Sequence, residues 1–268
     1  MWRLMRFVPV LLVTFGLIGP QVIDRPIPLL ADEPKATDVG KHPLTDDERA
    51  ELKKGWDDSI AEFTQKLEKK PDDLAALSKR GDAYFFRGNF AKSLRDYQKM
   101  CEVSPDVEPG HWRLGLAQYY AGEYATSAKF FDRFFQTDDV DREGGLWKYL
   151  AQAKSEGPEK AKAGLLKYTK FDREPMPTVY RLFEGTITPE ELLKTVDAGK
   201  LADTEREKRL FYIELYIGLW LDAHKQPREA LPHFRAATAN KWPRDAGYGP
   251  NWMWHVARVH YELLAPPK

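Results

Sequence analysis

The chain of 268 residues holds a single cysteine, Cys101, so it has no internal disulfide and none of the zinc sites that need paired cysteines. It also lacks a charge excess. Lys+Arg and Asp+Glu both number 41, which leaves no basic surplus to neutralise a phosphate backbone and argues against a nucleic-acid partner. Catalytic signatures are missing: there is no G-x-S-x-G elbow, no S-x-x-K set and no Walker A loop. The histidines are scattered. His255 and His260 are five apart, about 140° around a helix, and do not share a face as an i, i+4 ligand pair would. His224, His233 and His42 fit no ligand spacing either, so nothing here asks for a metal or a cofactor. Asp138, Asp139, Asp141, Glu143, Glu190 and Glu191 read as helix-start or solvent-facing carboxylates, and the Lys-rich stretch from Lys154 to Lys170 as a solvated helix face. Cys101 reads as a small buried apolar residue.

The N-terminus has an export pattern: Arg3 and Arg6 precede the apolar run Phe7 to Ile18, 12 residues long, where a membrane span needs about 20. Small residues near Ala31 offer a cleavage point. Residues 1–31 are therefore expected to be a signal peptide, cleaved or retained as an N-terminal membrane anchor, with the body periplasmic or secreted. Their removal takes away Arg3, Arg6, Arg25 and Asp24, leaving 38 basic against 40 acidic residues. Residues 32–44 have linker composition.

From Thr45 onward the pattern is helical throughout, with no sustained alternating strand run. A shift of 34 residues pairs Gly81 with Gly115, Ala83 with Ala117, Gly88 with Gly122, Phe90 with Tyr124, Ser93 with Ser127 and Tyr97 with Phe131. This is the tetratricopeptide period. It predicts an all-α fold, an α-solenoid of helix pairs over 45–268, with repeats at about 74–107, 108–141, 144–176 (degenerate) and 211–244. The short-helix pieces around Val179 to Leu193 interrupt the array. Helices are expected at about 46–69, 73–87, 90–103, 109–121, 124–136, 144–155, 159–171, 177–184, 189–196, 204–224, 227–239 and 250–264. The physical basis is that a Gly on one helix and a small residue on the next let two backbones approach, while aromatics fill the seams between pairs.

The order of these pieces resembles the NlpI-like tetratricopeptide lipoproteins of the bacterial cell envelope. The likeness is carried by LTDDERAEL (44–52), LWKYLAQAK (146–154), VYRLFEGTITPEELL (179–193), FYIELYIGLW (211–220) and ALPHFRAATAN (230–240). The resemblance implies a non-catalytic scaffold that docks cell-wall hydrolases or a processing protease, often as a homodimer. The family's lipobox cysteine has no counterpart, since residues 1–100 contain no cysteine; lipid anchoring is not carried over.

Two surfaces are candidates for protein binding. In the repeat register Asp82, Phe85 and Phe86, then Trp112, Leu116, Tyr119 and Tyr120, fall on the inner wall of the superhelix, where such arrays hold peptides and where aromatics act as anchors. Ser78, Asp82 and Leu116 stand where a clamp for a chain-terminal carboxylate would need basic or amide groups. The second is the Trp-rich stretch with Trp242, Trp252 and Trp254. It reads either as a capping helix over the last groove or as a partner surface. The remaining reading of the whole chain is a self-assembling structural component.

Overall fold

Five of the helices begin where the sequence supplies an oxygen or a ring nitrogen for their unpaired amides. Thr45 and Glu48 close a reciprocal capping box at the start of α1 (Asp46–Lys69). Asp73 caps α2 (Leu74–Phe86), and α3 (Phe90–Val103) follows it. After a 3-10 turn at Pro105–Gly110, the ring of His111 accepts from Leu114 N at 3.2 Å and starts α4 (Trp112–Tyr120), which leads to α5 (Tyr124–Thr137). Asp141 caps α6 (Arg142–Glu156), and a short α7 (Pro158–Ala163) ends its unit. Beyond an irregular stretch lie α8 (Met176–Phe183) and α9 (Pro189–Asp197), the latter with a second capping box at Thr188 and Glu191. The chain closes with α10 (Asp203–Ala223), α11 (Pro227–Ala239), α12 (Trp242–Asp245) and α13 (Tyr248–Leu264). The computed structural model describes residues 42–198 and 200–265; the expected signal segment lies outside them.

Among the described residues the fold is all-helical, with no strand. Consecutive helices pack on one another from α1 to α7 and again from α10 to α11, as in an α-solenoid. The close approaches are built at glycine. A Cβ on Gly81 would stand 2.6 Å from the ring of Tyr97, one on Gly115 2.6 Å from that of Phe131, and one on Gly218 3.0 Å from that of Phe234. In each pair the aromatic lies 16 residues after the glycine. The turn that follows is also reused. Gly88 and Gly122 have φ of 79° and 84°, and the equivalent third position is Lys225, with φ 62°. At all three the next amide reaches back to the carbonyl five residues before it: Asn89 to Tyr84, Glu123 to Gln118 and Gln226 to Leu221. This is the Schellman closure of a helix end.

Three expectations need correction. The helix expected over 159–171 stops at Ala163, and 164–175 runs without helix. Tertiary packing overrides its helical Lys/Ala pattern: the Tyr168 ring sits against Gly144 and Gly145, and Tyr180 Oη donates to Leu166 O at 2.7 Å. The degenerate unit thus has one full helix and one short one, and the Lys154–Lys170 stretch is not one continuous solvated face. The linker expected over 32–44 ends earlier than read. Leu44 is buried, and His42 packs edge-on against Tyr261 and pairs with Glu262 at 3.6 Å.

Candidate functional site

The inner wall comes from α2 and α4, and α13 lies in it. Asp82, buried in the middle of α2, gathers four donors. Its Oδ1 accepts from Tyr97 Oη (2.5 Å), Arg113 (2.6 Å) and Trp252 Nε1 (3.2 Å), and its Oδ2 from Tyr248 Oη (2.7 Å). Burial, then the Asp82 charge, push the Tyr97 hydroxyl well above its ordinary pKa, so it serves as a donor. Around this anchor the rings interlock. Phe85 meets Trp252 at 4.4 Å between centroids, Trp112 meets Trp252 edge-on at 5.0 Å, and Phe86 stacks on His255 at 3.9 Å.

A second polar chain joins the same surfaces. Tyr120 Oη and His260 Nδ1 are 2.9 Å apart, His260 Nε2 is 3.2 Å from Asp222, and Lys154 Nζ reaches Asp222 at 2.7 Å. Asp222 as acceptor assigns the proton to Nε2, so Nδ1 accepts from the tyrosine. Burial raises the Asp222 carboxyl, but His260 and Lys154 outweigh it and bring it down to about 2.

The expected docking residues are therefore not a free surface. Asp82, Phe85, Leu116 and Tyr119 are buried, and Phe86, Trp112 and Tyr120 are half-buried under the chain's own last helix. The second expected surface is closed as well: Trp252 is inside the groove, and Trp254, also buried, donates to Thr238 O at 2.9 Å. Of the two readings of this stretch, the structure matches the capping one, but the helix covers the first pairs as well as α11. At its far end Arg258 sits over the Trp56 ring at 4.4 Å and donates to Phe86 O.

One cavity still open, of about 250 Å³, lies between α4, α5, α6, α10 and the start of α13; another, of about 480 Å³, lies between α6, α7 and α8. Trp112, Leu116, Phe131, Phe134, Trp147 and Met253 form the apolar wall of the first; Asp141, Glu143, Arg173 and Tyr212 give it a polar end. Arg173 is bonded to Glu143, to Asp141 at 3.2 Å and to Asp172 at 3.3 Å, and Tyr216 Oη donates to Glu143 at 2.5 Å. Burial outweighs Arg173 and lifts Glu143 to about 7. Burial alone would lower Arg173, but the surrounding carboxylates hold it above its usual value. Asp141 and Glu143 lie at the start of α6, as expected for helix-start carboxylates, but they face this cavity rather than open solvent. The available signal was the i, i+4 spacing of Glu143 with Trp147, which puts the acid on the face of a buried indole.

Two exposed rings adjoin this cavity in sequence: Phe171, two residues before Arg173 and 76% exposed, and Tyr248, next to Gly249 on the cavity wall and 51% exposed. Cys101 is half-buried, and burial raises its thiol. Among the described residues no group of three or more His, Cys, Asp or Glu side chains is placed to hold a metal ion, and no helix is long and apolar enough to cross a membrane. No protein-family model matches the chain. The class its fold defines is an all-helical array closed by its own last helix.

Proposed function

We propose that this chain is a tetratricopeptide-type scaffold, similar to the NlpI-like proteins, that is exported to the bacterial envelope and docks other envelope proteins without catalysing a reaction. The observation that carries this reading is the groove's occupant. An inner wall that holds a 17-residue helix through aromatic rings gathered around one carboxylate is a helix- or peptide-binding wall. The recurrent Gly-to-aromatic spacing and the shared turn at Gly88, Gly122 and Lys225 support the repeat assignment. With α13 in place, the partner is received at the exposed rings of Phe171 and Tyr248, which neighbour cavity residues in sequence. By resemblance the partner is a cell-wall hydrolase or a processing protease.

The test is a pull-down from bacterial envelope extract with the full-length chain as bait. Captured proteins are identified by mass spectrometry, then purified and tested for direct binding, with Phe171→Ala run in parallel. Recovery of a hydrolase or protease that binds directly, weakened by Phe171→Ala, supports the reading. Recovery of the bait alone favours the self-assembling component instead.

A further inference from the structure

We propose that the cavity between α4, α6, α10 and α13 is a binding site for a small organic ammonium ion carried on an aromatic or branched apolar body. The inference is independent of the scaffold reading and uses none of its partners.

Size sets the first limit. At about 250 Å³ the cavity falls just below the range of drug-sized pockets, roughly 300–1,000 Å³, so it suits a small ligand rather than a peptide segment. The walls set the second. Trp112, Trp147, Phe131 and Met253 offer apolar contact, and an ammonium beside an indole gains cation–π attraction that grows as water is excluded.

Charge decides the sign. The titratable groups at the polar end are Asp141 and Glu143 at the start of α6, Asp172 and Arg173 from the 164–175 segment, and Tyr212 and Tyr216 from α10, with Tyr168 behind Gly144 and Gly145; the side chain of Arg142 lines a neighbouring cavity instead. The faces from α4, α5 and α13 bring none. Three carboxylates thus share one guanidinium, and that guanidinium already contacts all three. An anionic ligand finds no uncommitted cation there. A neutral one leaves the excess charge to be relieved by a proton on Glu143 and gains no ionic contact of its own. A cation supplies the missing charge.

The protonation of Glu143 follows the same shortage. Near neutral pH its carboxyl, at about 7, is about half protonated. A bound ammonium favours the carboxylate, so binding expels that proton and strengthens as pH rises through 7.

The experiment is isothermal titration of the full-length chain at pH 7 with phenethylamine, phenylacetate and phenethyl alcohol, which share a body and differ in charge. Phenethylamine is expected to bind saturably at one site, at least about tenfold more tightly than either of the others. Its heats in phosphate and HEPES buffers should differ by the release of about half a proton per ligand. Glu143→Gln, checked for unchanged helix content, should weaken phenethylamine about tenfold and abolish the buffer difference. Equal binding of phenylacetate, no saturation by the amine, or identical heats in the two buffers would overturn the proposal. The buffer comparison uses the parent chain and decides even if the variant does not fold.

Discussion

The indole of Trp252 donates to the carboxylate of Asp82 at 3.2 Å across 170 residues of sequence, tying the last helix to the pair α2 and α3. The same carboxylate also serves Tyr97, Arg113 and Tyr248. Asp82→Ala would deprive a half-buried guanidinium and three ring donors of their shared acceptor at once. Its expected cost is about 3–5 kcal/mol, read by urea unfolding. A loss below about 1 kcal/mol would show that the anchor is not a structural one.

Tyr119 and Trp112 were both expected on a docking wall, and the structure separates them. Tyr119 is buried against Trp147 at 5.4 Å and Tyr124 at 5.3 Å, so Tyr119→Ala should destabilise the fold by about 3–5 kcal/mol. Trp112 is half-buried at the cavity edge and should cost clearly less when truncated. Melting curves of the two single variants give the comparison.

Three backbone positions make a matched set. A Cβ on Gly115 would stand 2.6 Å from both Phe130 and Phe131, and Gly115→Ala should lose about 1–3 kcal/mol. Gly55, exposed inside α1, has nothing within 4 Å of the same position, so Gly55→Ala should gain about 0.5–1 kcal/mol. Lys225 holds the left-handed turn that glycine holds in the other two pairs; Lys225→Gly should stabilise by about 1 kcal/mol. Thermal denaturation of the three variants reads all three signs.

Acid should weaken the fold over two successive pH ranges. Burial, then Arg113, hold His111 down at about 4 against an unfolded value of 6.5. Burial also keeps His255 well below its ordinary value. The unfolded chain binds those protons first, and stability falls as pH drops below 6.5. Asp222, at about 2 when folded, contributes about 2 kcal/mol above pH 4, lost between about 4 and 2. Asp222→Asn should remove that second loss. Glu143 has the opposite sign: its folded value of about 7 exceeds the unfolded 4.5, so its burial costs most above pH 7. Glu143→Gln should therefore raise the melting temperature at pH 8 more than at pH 5.

Helix starts and the glycine seams were readable because each depends on residues close to one another in the chain. Thr45 with Glu48, Thr188 with Glu191, and Gly81 with Tyr97 carry their own local signals. The seat of α13 was not readable, since nothing near Trp252 indicates that its partner is Asp82. The helix expected past Ala163 failed for a related reason: its end is fixed by Tyr168 packing on Gly144 and Gly145, not by its own alternation of Lys and Ala. Glu143 stands at a helix start as read, but its inward turn was not readable, because a carboxylate in the first turn of a helix usually faces water and only the tertiary fold brings Arg173, Tyr216 and the indoles around it.

The return of α13 to α1 and α2 changes how such an array should come apart. In an open stack each unit touches only its neighbours, so one end can fray while the other persists, and units can be added or removed with modest loss. Here contacts such as Trp56 with His255 and Arg244 with Glu48 join the two ends. Neither end can peel away without opening the middle. Denaturation should be a single concerted event, and an inserted repeat, harmless in an open stack, would pull the ends out of register.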